Sequence, residues 1–281
     1  MSNVDDEISI HYFDSHMQED FELTNYIEQS QELALQSNRF RVFYQGKFNL
    51  HTGRFSACEA LVRWKDNTRG YINTQTFVDV FERNGFIVKL DLYIFKKVLS
   101  DIREALMQGR EILPVSVNLS RIHFYDPDFF RNFENAIKES GVDPKYIEFE
   151  ITEGVILNEK MDLSHVIEQI HHIGSKVSID DFGSGFSNLS MINHIDFDIL
   201  KMDKRLLQGK NGFDENSRQI LKTVVKMCKN LNKTVLCEGV ETEEEVKFLK
   251  EIGCDLIQGY YYSKPSKKED FISLVDSTNQ D

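Results

Sequence analysis

No run of apolar residues in this sequence approaches the roughly 20 needed to cross a bilayer as a helix. The opening residues Met1-Ser2-Asn3-Val4-Asp5-Asp6-Glu7 are acidic where a secretory leader would be basic. Both absences predict a cytoplasmic chain without membrane contact. Cysteine is scarce: Cys58, Cys228, Cys237 and Cys254 are scattered, with no paired C-x-x-C spacing, which indicates neither a zinc site nor a disulfide framework. They are expected to pack as small hydrophobes. Positive charge is also short, with 33 Lys and Arg against 46 Asp and Glu and a net charge of -13. A protein that coats a nucleic-acid polymer needs a basic face, so that class is excluded. An anionic ligand would have to be drawn in by local cations, of which bound metal ions are often the largest. There is no internal repeat and no low-complexity tract.

What is present is an ordinary globular composition. The 281 residues, 41% hydrophobic and 28% charged, suffice for one large α/β domain or two small ones. Between Glu19 and Ser37 the apolar residues Leu23, Tyr26, Ile27, Ala34 and Leu35 recur near helical spacing, which predicts a leading helix. The pattern changes near Asn38, and from Arg41 strand-like runs alternate with amphipathic helical stretches, the signature of an α/β sheet or barrel. Eight strands are predicted: Arg41 to Phe48, Arg54 to Arg63, Leu113 to Leu119, Ile147 to Ile151, Lys176 to Asp180, Ile199 to Met202, Thr234 to Glu238 and Asp255 to Gln258. The first two are separated only by Asn49 to Gly53, too short for a parallel crossover, so they form an antiparallel hairpin. Later connections hold predicted helices at Leu90 to Met107, Asp128 to Lys138, Leu163 to Ile173, Asn216 to Leu231 and Glu243 to Glu251. The fold class expected is therefore α/β, a TIM-like (β/α)8 barrel with an antiparallel first strand. Its parts are an N-terminal extension and leading helix over 1–38, a barrel domain over 39–270 and a polar tail over 271–281. Within the tail, Ser273 to Asp281 is expected to fray.

Side chains at the C-terminal ends of barrel strands face the site, and here those ends are acidic. Glu59 lies within the second strand, and Asn118, Glu150, Asp180 with Asp181, Lys201, Glu238 and Gln258 lie at or near the ends of later ones. For each acid alone the competing reading, a solvated turn or helix cap, holds at about two chances in three; together they cannot all be caps. Carboxylates from four strands brought to one end repel each other unless cations compensate, and an oxygen-rich set suits magnesium or manganese rather than zinc. Two such ions can clamp the attacking and leaving oxygens of a phosphodiester. Lys201 reads equally as a cation beside the nucleophile or phosphate and as a structural ion pair. Alternation along the strands turns Cys58 and Cys237 toward the helix layer if Glu59 and Glu238 point inward. His171 and His172 are explained by the C-terminal end of their helix. The two glycines of Asp180-Asp181-Phe182-Gly183-Ser184-Gly185-Phe186-Ser187-Asn188-Leu189 suit a loop that moves over a ligand.

With those residues in place, the sequence resembles the EAL domain family over roughly Leu33 to Pro265. The tripeptide itself stands as Glu59-Ala60-Leu61 within EALVRW. Further matching segments are Val115 to Ser120, Glu148 to Glu153, the DDFGSGFSNL loop, Leu200 to Asp203, Cys237 to Thr242 and Gln258 to Tyr261. The resemblance implies hydrolysis of cyclic di-GMP to linear pGpG with two Mg2+ or Mn2+ ions. It implies metal ligation by Glu59, Asn118, Glu150, Asp180, Asp181 and Glu238, with Glu238 as metal ligand or general base and Lys201 orienting the catalytic water. Gln45, Arg63 and Gln258 look like substrate contacts, Glu153 resembles the anchor of the mobile loop, and Glu241 a supporting residue. A homodimer, and an upstream sensor or GGDEF domain, are the partners it implies; Tyr12 to Met17 resembles the end of a GGDEF domain. The sequence departs from the family at Ser184, Phe186 and Asn188, where the loop commonly reads DDFGTGYSSL, and at Gly46, where proline is common. Two alternatives stay open: a receptor that binds cyclic di-GMP without cleaving it, and a glycosidase with paired carboxylates, which leaves Asn118, Lys201 and the adjacent aspartates unexplained.

Overall fold

The computed structural model describes residues 15–126, 128–156, 163–184, 195–208 and 212–279. A helix α1 (Ser15–Gln36) leads into the hairpin β1 (Phe40–Asn49) and β2 (Arg54–Asp66), followed by a short β3 (Gly70–Ile72) and helices α2 (Thr74–Asn84) and α3 (Ile87–Met107). Strands β4 (Val115–Leu119), β5 (Ile147–Thr152), β6 (Lys176–Phe182), β7 (Ile199–Met202), β8 (Thr234–Cys237) and β9 (Leu256–Ile257) follow. They are interleaved with α4 (Phe130–Ser140), α5 (Glu153–Ile156), α6 (Leu163–Ile173), α7 (Glu215–Asn230) and α8 (Glu243–Glu251), and α9 (Lys268–Asn279) comes last. The order β1-β9-β8-β7-β6-β5-β4-β2 closes through β1–β2 pairing, so eight strands form a barrel and β3 hangs on the edge of β2. Strand β1 runs antiparallel to both neighbours, with Gln45 opposite Glu59 and Phe48 opposite Ile257, whereas β2 and β4 to β9 pair in parallel.

Apolar residues outside the barrel seal the helix layer. Phe95, Phe130, Phe133 and Phe149 interlock between α3, α4 and β5 with ring centroids 5.1 to 6.0 Å apart, a spacing at which aromatic pairs attract beyond their buried area. A second group joins Phe40, Trp64, Phe77 and Phe81 to Ile27 and Ala34, so α1 buries its inner face in the core that covers the hairpin. All four cysteines are buried and free, Cys58 and Cys237 in the outer clusters as alternation requires.

The expectation that Ser273 to Asp281 frays is corrected for Ser273 to Asn279, which belong to α9; Gln280 and Asp281 lie outside the described residues. Phe271 and Val275, four residues apart, share one helical face; Phe271 is buried on Tyr44, their ring centroids 6.0 Å apart, and Val275 packs on the same core. Asn279 then accepts from the Phe55 N–H at 2.9 Å and donates to its carbonyl at 3.1 Å. At Gly46 the backbone N–H donates to Ser263 Oγ at 3.2 Å, a bond proline cannot make. A Cβ there would run into the Phe55 ring.

Candidate active site

The barrel interior carries two layers of charge, and strand alternation builds both. On β1, Gln45 and Lys47 point inward; on β2, Glu59 does; on β5, Glu148 and Glu150 do; all five are buried. Lys201 of β7, fully buried, sits at the centre of the upper layer. Its Nζ lies 2.5 Å from Glu150, 2.9 Å from Glu238, 3.0 Å from Asp180 and 3.6 Å from Glu59. Below, Lys47 Nζ is 2.9 Å from both Glu148 and Glu150, so Glu150 bridges the two lysines. Lys47 and Glu148 were not among the expected site residues. Their signal was legible in the alternation of YQGKF and IEFE, where polar residues fall at every second place of an apolar strand.

The expected residues converge, with differences in detail. Asn118 stands exposed at the barrel mouth and donates to Glu59 Oε1 at 2.9 Å. Gln258, directly after β9, donates to Glu59 Oε2 at 2.7 Å and to Gln45 at 3.2 Å. The Gln258 Oε1 is buried without a hydrogen-bond partner among the described residues. Gln45 also donates to the Ser263 carbonyl at 2.9 Å. Arg63 is half-buried at the rim, its guanidinium 5.8 Å from the Phe43 ring centroid. Beside these residues a cleft of about 340 Å³ runs past Arg63, Asn118, Thr152, Asp180 and Asp181.

Glu153 Oε2 accepts from the Gly183 N–H at 3.3 Å, a tie between the start of α5 and the turn that follows Asp180 and Asp181. Residues Gly185 to Leu189 of that loop lie outside the described residues, so the departures Phe186 and Asn188 do too. Glu241 has an exposed side chain, and its N–H donates to Glu245 at the start of α8; that geometry is helix capping rather than contact with the acids. His171 Nε2 lies 3.0 Å from Asp198, away from the barrel mouth.

Burial and charge oppose each other here. Burial disfavours the ammonium of Lys201, but the surrounding carboxylates outweigh it and raise its pKa well above the ordinary value. Burial pushes the carboxyls of Asp180 and Glu238 up, reinforced by their acidic neighbours, and burial raises Asp181 as well. Glu150 is also penalised by burial, yet Lys201 and Lys47 together hold it down at about 2. Asp180, Asp181 and Glu238 can each offer a carboxylate oxygen such that the three lie within 4.8 Å of one another. Asp181 reaches this position with a φ of 60°, a left-handed conformation that aspartate tolerates better than most residues. An all-oxygen donor set of this kind fits a hard divalent cation.

Residues 28–265 match the model of the EAL domain. The chain belongs to the EAL domain family. NbdA of Pseudomonas aeruginosa, a cyclic di-GMP phosphodiesterase, is 30% identical over 244 residues, which cover 86% of this chain and 31% of NbdA. PdeG of Escherichia coli, a probable cyclic di-GMP phosphodiesterase, is 28% identical over 245 residues, 86% of this chain and 48% of PdeG. The EAL chain thus spans less than half of either relative. The solved complex of the PaMucR phosphodiesterase with c-di-GMP superposes with a TM-score of 0.82 at 27% identity, over 88% of this chain and 99% of that one. No helix among the described residues is long and apolar enough to cross a membrane.

Proposed function

We propose that this EAL domain hydrolyses cyclic di-GMP to linear pGpG in a reaction that depends on two divalent metal ions, Mg2+ or Mn2+. The observation that carries the proposal is an excess of acid over base inside the barrel and at its mouth. Glu59, Glu148, Glu150, Asp180, Asp181 and Glu238 face two lysines. Carboxylates outnumber the two lysines three to one, and the acid-rich upper layer opens at the mouth, where divalent cations would compensate the excess. A structural salt-bridge network has no need of such an excess, because uncompensated buried charge is costly.

Glu59, Asn118, Glu150, Asp180, Asp181 and Glu238 would hold the ions. Held there, they would supply positive charge to the oxygens of the phosphodiester. Lys201, kept protonated by its acidic surroundings, is a fixed donor that can orient the attacking water without losing its own proton. Burial and its acidic neighbours raise the Glu238 carboxyl pKa, which makes it a better proton acceptor than an ordinary carboxylate, and its side chain keeps 21% of its surface exposed at the mouth. Arg63 offers its guanidinium to a substrate phosphate, and the orphaned Gln258 Oε1 offers an acceptor to a substrate N–H or hydroxyl, with Gln45 holding the opposite amide face. Glu153 would steady the Gly183 turn. The partners and place that go with this reading are a homodimer, an upstream sensor or GGDEF domain, and the cytoplasm.

The test is to incubate the purified chain with cyclic di-GMP and magnesium or manganese, with chelator controls, and to separate the nucleotides by chromatography. Metal-dependent pGpG is the expected product. Intact cyclic di-GMP together with measurable binding would replace the enzyme by a receptor, and loss of neither metal dependence nor turnover in Glu59→Ala would remove the ligand assignment.

A further inference from the structure

On the outer edge of the hairpin, where β1, β3, α3 and the start of α9 meet, lies a groove of about 420 Å³ whose lining is basic in an otherwise acidic protein. Arg41, Lys65, Lys97 and Lys267 reach it from four separate elements or connections, and none of them has an ion-pair partner among the described residues. Lys268, also in the lining, differs: it is spent on Asp101 at 2.9 Å and Glu104 at 2.7 Å. Lys97 Nζ donates to Asn38 at 3.4 Å and lies 4.9 Å from the Tyr93 ring centroid; the remaining acid is Glu269, so three uncommitted cations, Arg41, Lys65 and Lys267, together with Lys97 face one carboxylate. Like charges gathered this closely repel one another and are relieved by an anion.

The groove also presents an aromatic face. Tyr71 stands opposite Lys65 in the β2–β3 pairing, is 50% exposed, and meets Phe43 edge-on with centroids 5.9 Å apart. Phe43 in turn carries Arg63 near its ring at 5.8 Å, which places the groove beside the barrel mouth but outside the acid cluster. The backbone adds a third element. Tyr44 exchanges both its backbone hydrogen bonds with Ser266 on the open side of β1, and alternation turns the Val42 N–H and carbonyl to that same side. The volume falls in the range of about 300–1,000 Å³ usual for small-molecule sites.

We propose that this groove is an accessory site for a phosphorylated nucleotide. The cations take the phosphates and the exposed ring of Tyr71 takes the base. The proposal goes beyond the phosphodiesterase reading and does not rest on it, since it needs neither metal nor turnover.

Isothermal titration of the full chain with guanosine diphosphate, in the presence of chelator, tests it. Binding is expected, weakening as salt is raised because the cations are exposed. It should fall by about tenfold or more in the double variant Lys65→Glu with Lys267→Glu. Both side chains are exposed, so that variant keeps its fold and melts as the parent does. Tyr71→Ala should weaken guanosine diphosphate while leaving inorganic pyrophosphate unchanged. Absence of binding, or binding unaltered by the double reversal, overturns the site. Pyrophosphate bound as tightly as guanosine diphosphate overturns the nucleotide assignment, and preference for a poly-glutamate peptide overturns it in favour of protein docking.

Discussion

Lys201 and Lys47 are both fully buried inside one barrel, both hydrogen-bonded to Glu150, and one strand layer apart. Around Lys201 stand four carboxylates, of which Asp180 and Glu238 keep contact with solvent. Around Lys47 stand two, Glu148 and Glu150, both sealed. The upper layer is over-supplied with acid and open; the lower is nearer balance and closed. Identical chemistry therefore serves two ends: excess charge with an opening makes a place for cations and a ligand, and balanced charge without one makes a floor that fixes Glu150.

The sharpest way to break this comparison is to remove the lower lysine. Lys47→Met leaves Glu148 and Glu150 facing each other in the interior, and breaking a buried pair costs about 3–5 kcal/mol. The loss should appear in denaturant unfolding with or without magnesium, and Glu148→Gln in the same chain should recover part of it. A variant as stable as the parent would show that Lys47 is no floor.

Removing the upper lysine should act on the reaction instead. Lys201→Met is expected to lower turnover by about 10²–10³-fold, the size of effect seen when a fixed donor near a reacting oxygen is lost. Magnesium should raise its melting temperature more than it raises the parent's, because the acid excess has grown. Parent-like pGpG production in this variant would erase the distinction between the layers.

The third test follows from the direction of the pKa shifts. Without metal, Asp180, Asp181 and Glu238 have raised carboxyl pKa values, so the folded state holds their protons more tightly than the unfolded chain. Their contribution is favourable below the ordinary carboxylate range and is lost as pH climbs through the raised values. Glu150 works the other way: held at about 2, it adds stability above the ordinary range that disappears as pH falls toward that value. In chelator the melting temperature should fall as pH rises above the ordinary carboxylate range, and magnesium should abolish that fall by taking the place of the protons. Melts that are flat with pH in chelator would contradict the charge excess.

The smallest effect concerns Gly46, which lies between Gln45 and Lys47. Gly46→Pro removes the N–H donated to Ser263 and forces the Phe55 ring aside, for an expected loss of about 1–3 kcal/mol. Turnover should be nearly unchanged, since both inward-facing neighbours keep their partners. A large loss of turnover with normal stability would tie this strand directly to substrate.

The hairpin of β1 and β2 could be read directly, because five residues between two apolar runs allow no crossover. The strand ends that carry Glu59, Glu150, Asp180 and Glu238 were equally legible, since an acid ending an apolar run is conspicuous. Less visible were β3, only three residues long, and α2, whose Asn73 cap and left-handed Gly85 close a short helix between polar turns. The C-terminal helix was misread because Ser273, Asp276, Ser277, Thr278 and Asn279 are polar; its order comes from Phe271 packing on Tyr44 and Phe55 and from Asn279 bonding the Phe55 backbone, far away in the sequence. Alternation puts Lys47 on the inward face with Gln45, but its role became visible only with its partners Glu148 and Glu150 across the barrel.

By itself the sequence determined the alternation of elements, the inward face of each strand and the identity of the acids, because periodicity and turn length are local properties. It also carried the motifs by which the family is recognised. Only the tertiary structure decided that Lys201 stands at the centre of four carboxylates, that Glu150 is shared between two lysines, and that basic side chains from four parts of the chain collect beside Tyr71. Those facts depend on closure of the barrel, which brings residues 47, 150 and 201 within hydrogen-bonding distance, and no local pattern encodes a distance across a closed ring.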